Sequence, residues 1–105
     1  MPLPPPLSAV QRREALEKAA QARRERAELK VDLKNGDTTL ESLLDRSGEK
    51  VVGSMKVSDV LESMPGVGPV KAQKIMDRLA ISSTRRLRGL GEKQKQSLIR
   101  EFTAK

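Results

Sequence analysis

Histidine and cysteine are both absent from this chain. Their absence removes the commonest metal ligands, the commonest general base, and any disulfide or thiolate site. No metal site, no cofactor and no enzymatic activity are expected. Tryptophan and tyrosine are missing too, and Phe102 is the single aromatic residue. Single-strand binders stack bases on several aromatic side chains, so a nucleic-acid partner here would be a duplex held by its backbone. No stretch approaches the roughly 20 apolar residues that cross a bilayer, and no secretory pattern is visible. A cytoplasmic protein with no membrane partner is expected.

What the chain does have is positive charge. Its 105 residues include 21 Lys+Arg and 14 Asp+Glu, for a formal net charge of +7. The excess is uneven. Residues 1–36 hold 8 bases and 5 acids, residues 37–59 hold 3 and 5, and residues 60–105 hold 10 and 4. A polyanion would meet the C-terminal part first and the N-terminal part more weakly.

The most informative segment lies between two apolar-periodic stretches. Residues Pro65, Gly66, Val67 and Gly68 form a tight turn in which glycine lets the backbone approach a partner closely. Pro69 suits the first position of a helix, which is expected to run to about Leu79. The free amides and the dipole at that helix start would face an anion. On a helical projection, Lys71, Lys74 and Arg78 share one side within about 60°. Ala72, Ile75, Met76 and Leu79 point the other way, toward a core. Lys56 precedes the turn region. Arg85, Arg86 and Arg88 follow, beside Gly89 and Gly91. Arginine forks match phosphate oxygens and fit a narrow minor groove. No side-chain set carries an evident code for base edges, so weak sequence selectivity is expected.

The remaining chain reads as helix and connection. Residues 1–7 (Met-Pro-Leu-Pro-Pro-Pro-Leu) form a flexible proline-rich arm. Ser8 and Gln11 make a capping box that opens a long helix over 8–35, closed by Asn35-Gly36. Thr38 and Glu41 suggest a second box for a short helix within 37–47. Glu49–Val57 is ambiguous between a helical turn and an extended run. Ser58 is expected to cap a third helix through Met64. A last helix runs from Glu92 to Phe102. The expected core comprises Leu40, Leu43, Leu44, Val60, Leu61, Ile75, Leu79, Leu87, Leu90, Leu98, Ile99 and Phe102.

The long helix sorts its charges. Glu14, Glu17, Glu25, Glu28 and Asp32 fall within an arc of about 80°. Arg12, Arg23, Arg26, Lys30 and Lys34 fall on the far side. Like charges in a row repel by a few tenths of a kcal/mol per pair, a cost that an external polyanion offsets. The basic arc is therefore a candidate second contact, able to bridge two duplexes. A merely solvated helix is the plain alternative.

A helix, a Pro-Gly-Val-Gly hairpin, a helix, a longer turn and another helix together resemble the helix–two-turn–helix module, placed here at 58–103. That module occurs in a small-subunit ribosomal protein and in formamidopyrimidine-type DNA glycosylases. The fuller resemblance is to the actinobacterial integration host factor family. It rests on EALEKAAQARRERAELKVDLK within Arg12–Lys34, MKVSDVLESMPGVGPVKA at 55–72, and RRLRGLG at 85–91. It implies an all-α, monomeric, nucleoid-associated protein: a long N-terminal helix packed on a small helical domain, the globular part spanning 37–105. It further implies low-specificity binding of double-stranded DNA, bending and compaction, gene regulation, and assistance to phage integrase–DNA complexes. The DNA-contacting elements would be Pro65–Gly68, Lys71, Arg85, Arg86 and Arg88, with Lys56 beside them. Ser54 and Pro69 depart from the family pattern, which often has lysine at both. The alternative of the same class is a ribosomal RNA-binding protein. A glycosylase reading fits poorly, because Leu3 stands where those enzymes carry glutamate after a proline nucleophile.

Overall fold

Ser8 starts the first helix because its side chain and that of Gln11 satisfy each other's backbone amides. Gln11 N donates to Ser8 Oγ at 3.1 Å, and Ser8 N donates to Gln11 Oε1 at 3.0 Å. The computed structural model describes residues 8–103; the proline-rich arm at 1–7 and residues 104–105 lie outside the described part. Helix α1 spans Ala9–Asn35 and ends at Gly36, whose φ of 81° only glycine adopts freely. At 1.5 Å per residue the rod is about 40 Å long. Its first half is exposed on every side, and Leu33 is its one fully buried residue.

Five shorter helices follow: α2 (Leu40–Asp45), α3 (Lys50–Gly53), α4 (Val57–Glu62), α5 (Pro69–Arg78) and α6 (Glu92–Thr103), with one 3₁₀ turn at Leu87–Gly89. The described residues contain no strand, only one isolated antiparallel bridge between Lys56 and Arg86. The expected all-α class is thus met.

Two expected caps are displaced. Thr39, not Thr38, caps α2, accepting from Ser42 N at 3.1 Å. Burial decides this register: Leu40, Leu43 and Leu44 must all face inward. Ser58 does not cap α4. The helix starts one residue after Lys56, and the Val57 amide donates to the Arg85 carbonyl at 2.9 Å. A partner distant in sequence takes the place of a local cap. The ambiguous run 49–57 proves to be both things at once, a single helical turn at Lys50–Gly53 and then an extended Lys56 that leads into α4 at Val57.

The core joins Leu33, Leu40, Leu43, Leu44, Val60, Leu61, Ile75, Met76, Leu87 and Leu98 with Val52, Met55, Val57 and Ile81. Leu79, Ile99 and Phe102 pack at its margin and are only half-buried. Ala80 holds a φ of 57°, an unusual left-handed value for a residue with a Cβ. It closes α5, letting the Ile81 amide return to the Met76 carbonyl at 2.8 Å.

Candidate nucleic-acid interface

Three pieces of backbone build the basic surface. The first is the turn before α5. The Val67 amide donates to the Met64 carbonyl at 3.1 Å, with Pro65 second and Gly66 third in the turn at a φ of 74°. That is the pattern of a type II turn, which needs a positive φ at its third residue. Pro65, Gly66 and Gly68 are exposed, but the Val67 side chain is buried. The sequence reading offered the whole run as a contact; within it, Val67 instead anchors the turn to the core, and its amide is already used. Gly68 is the N-cap of α5 and has no side chain to cap with, while Pro69 occupies the first helical position. The amides of Val70 and Lys71 therefore lack intrahelical partners. Val70 and Lys71 are both exposed.

The second piece is the Lys56–Arg86 bridge. Val57 N donates to Arg85 O, and Leu87 N donates to Met55 O, both at 2.9 Å. These bonds hold the arginine stretch extended and set Lys56 directly across from Arg86. Like charges opposed across a bridge are destabilising, and both side chains are exposed. Arg86 Nη1 donates to the Ser54 carbonyl at 2.5 Å, and Arg85 Nη1 donates to the Gly89 carbonyl at 2.9 Å. Each guanidinium is thereby aimed with most of its fork left open. Leu87 is buried between them and Arg88, so the 3₁₀ turn is pinned at its base.

The third piece is α1. Ala22, Leu29 and Leu33 face the globular part and fix which side of the rod docks. The basic arc borders that side rather than standing opposite it. Arg26 Nη1 donates to Ser54 Oγ at 3.4 Å, and Lys30 lies 3.9 Å from Asp59. Lys30 and Lys34 line a groove of about 520 Å³ whose other wall is Pro65–Gly68. Two of the five cations assigned to a separate second contact thus sit beside the glycine turn, and a third, Arg26, sits beside the arginine stretch. Arg12 and Arg23 lie farther out along the rod.

Ser54 is more than a missing lysine. Its hydroxyl donates to the Val51 carbonyl at 2.7 Å and accepts from Arg26, while its carbonyl accepts from Arg86. One residue aligns arginines from two distant segments. Lys74 is exposed on α5. Arg78 instead pairs with Glu101 of α6, so its charge is shared within the protein.

Glu25, Glu28, Asp32 and Glu49 gather with Arg46 in a recess of about 210 Å³ between α1 and α3. Arg46 and Glu49 bind in a two-point fork, at 2.9 and 3.1 Å. The hydrogen bond from Arg46 holds the Glu49 carboxyl below the usual carboxylate range. Among the described residues, no group of His, Cys, Asp or Glu is placed to hold a metal ion, and no helix is long and apolar enough to cross a membrane.

This arrangement has close counterparts. The family described as S13-like H2TH domain matches residues 33–102. The integration host factor of Streptomyces coelicolor is 57% identical over 93% of this chain and 92% of its own. Those of Mycolicibacterium smegmatis and Mycobacterium tuberculosis are each 56% identical, over 93% of this chain and 94% of theirs. This chain belongs to the integration host factor family. A solved structure of sIHF bound to an 8-base-pair palindromic DNA is 56% identical, with a TM-score of 0.80, and covers 82% of this chain and 98% of that chain. The integration host factor fold seen there and the one described here are therefore alike over that span.

Proposed function

We propose that the protein binds duplex DNA through its phosphate backbone, with little sequence preference, and bends and compacts it. The observation that carries this reading is the Lys56–Arg86 bridge, in a chain whose α5 also starts without a side-chain cap. Two exposed cations are held opposite one another, and the first amides of α5 have no side-chain cap. Such a surface costs stability unless an anion joins the two sides. Backbone amides at a helix N-terminus add donors that match phosphate oxygens. The DNA in the sIHF structure supports the same partner class.

The working parts divide as follows. Pro65, Gly66 and Gly68 let the backbone approach one strand, where the amides at the start of α5 and Lys71 hold phosphates, with Lys74 alongside. Lys56, Arg85, Arg86 and Arg88 meet the other side, and Arg86 and Arg88 enter the minor groove. Arg26, Lys30 and Lys34 join this face from α1. Arg12 and Arg23 remain for a second duplex, which gives compaction by bridging. The protein acts by binding alone, as a monomer, in the nucleoid. Integrase–DNA complexes and regulated promoters are the settings in which bent DNA matters.

The test is a salt titration of binding to several unrelated duplexes. If about 6 phosphates are neutralised, log affinity falls with log salt at a slope near −5. All duplexes are expected to give the same slope. A flat response would contradict backbone binding, and stronger binding to a matched RNA duplex would favour the ribosomal reading.

A further inference from the structure

Between α1 and α3 lies a recess of about 370 Å³ that nothing above has used. Lys18, Arg26, Lys50 and Arg88 line it, with Glu25 as the one carboxylate and Ser54 at its base. Three cations elsewhere are paired internally, Lys30 with Asp59, Arg46 with Glu49 and Arg78 with Glu101. Among the described residues, none of the four recess cations is in an ion pair. Glu25 accepts instead from the Gln21 amide at 3.3 Å. A concave surface lined by one sign of charge, with low-dielectric walls, focuses its field on whatever enters.

We infer that this recess receives a backbone phosphate of the same duplex, and that Lys18 and Lys50 are DNA-binding residues. The inference rests on the duplex-binding reading. Continuity argues for it. Arg88 belongs to both the arginine stretch and the recess, and Arg26 is tied through Ser54 to Arg86. A strand that meets Arg86 and Arg88 is led directly toward Lys18 and Lys50. The cations of α1 from Lys18 to Lys34 then span about 24 Å, close to seven base pairs of duplex. A free nucleotide fits less well, because no aromatic side chain lines the recess to take a base. The long helix becomes a wall of the primary interface from Lys18 to Lys34.

The experiment measures duplex affinity against salt for wild type, for Lys18→Gln/Lys50→Gln, and for Lys93→Gln/Arg100→Gln, a control that removes equal charge from exposed positions on α6. Both recess lysines are exposed, so thermal melts should match wild type. The recess variant is expected to bind about tenfold more weakly, with a salt slope shallower by between about one and two, while the control changes less than about twofold. A recess variant that behaves like the control overturns the inference while leaving duplex binding intact. Weaker binding of tripolyphosphate, titrated alone, by the recess variant with unchanged DNA affinity would overturn it equally, by assigning the recess to a free anion. Wild-type protein without salt-dependent binding would remove the underlying reading itself.

Discussion

Replacing Gly53 with alanine should lower stability by about 2–3 kcal/mol, the usual scale for forcing a methyl into a filled site. A Cβ at Gly53 would stand 2.4 Å from the Ser47 carbonyl oxygen and 3.1 Å from Arg88 Cβ. The first neighbour is backbone and cannot swing aside. Ser47 is itself buried and receives a hydrogen bond from Lys95 Nζ at 2.9 Å, which ties it to α6. For a domain of this size each kcal/mol moves the melting temperature by roughly 4–8 °C, so calorimetry should show a drop of about 10–20 °C. DNA affinity should fall in the fraction that remains folded, because the displaced neighbour is Arg88. A melting point within a few degrees of wild type would mean that the contact between α3 and the 3₁₀ turn yields easily. The arginine stretch would then not be held as described.

Removing the arginine forks while leaving the scaffold alone is the complementary change. Arg86→Ala combined with Arg88→Ala should weaken binding on every duplex alike, by roughly 1–3 kcal/mol together. The uniformity matters as much as the size. Phosphate contacts carry no sequence information, whereas base contacts do. Arg86 and Arg88 are exposed, and the backbone bonds from Val57 and Leu87 do not depend on their side chains. The variant should therefore fold, and melting curves will confirm it. Affinity unchanged on all duplexes would take these residues out of the interface. Loss confined to one sequence would turn them into base readers.

Local chemistry was legible in the sequence, and three-dimensional adjacency was not. The Ser8–Gln11 box, the Gly36 stop and the Pro65-Gly66 turn each follow from a few neighbouring residues, and each stands in the structure. The Thr38–Thr39 choice was closed to inspection, because both residues cap equally well. Only the burial of Leu40, Leu43 and Leu44 selects between them. Ser58 is not a cap because the helix already begins at Val57, with the Val60 amide bonded to the Lys56 carbonyl and the Val57 amide to that of Arg85, 28 positions further on. The charge arcs of α1 were visible at 100° per residue, but their relation to the globular part was not. That relation depends on Ala22, Leu29 and Leu33, a sparse apolar seam on a helix otherwise dominated by charge. That Lys18 and Lys50 line one recess was hidden for the same reason. They are distant in the chain and meet only when α1 packs on α3. Ser54 was read as the lack of a lysine; the hydrogen bonds that align Arg26 and Arg86 appear only in the fold.

The central claim is that main-chain amides at the glycine turn, flanked by Lys56, Lys71 and the arginine stretch, hold the phosphates of a duplex. Amide-resolved NMR during titration with a short duplex tests it most directly. The account predicts large, saturable shifts at Gly66, Gly68, Val70 and Lys71. The Val67 amide, already bonded to Met64, should move little. Saturable binding that leaves the first four amides unmoved would contradict the account.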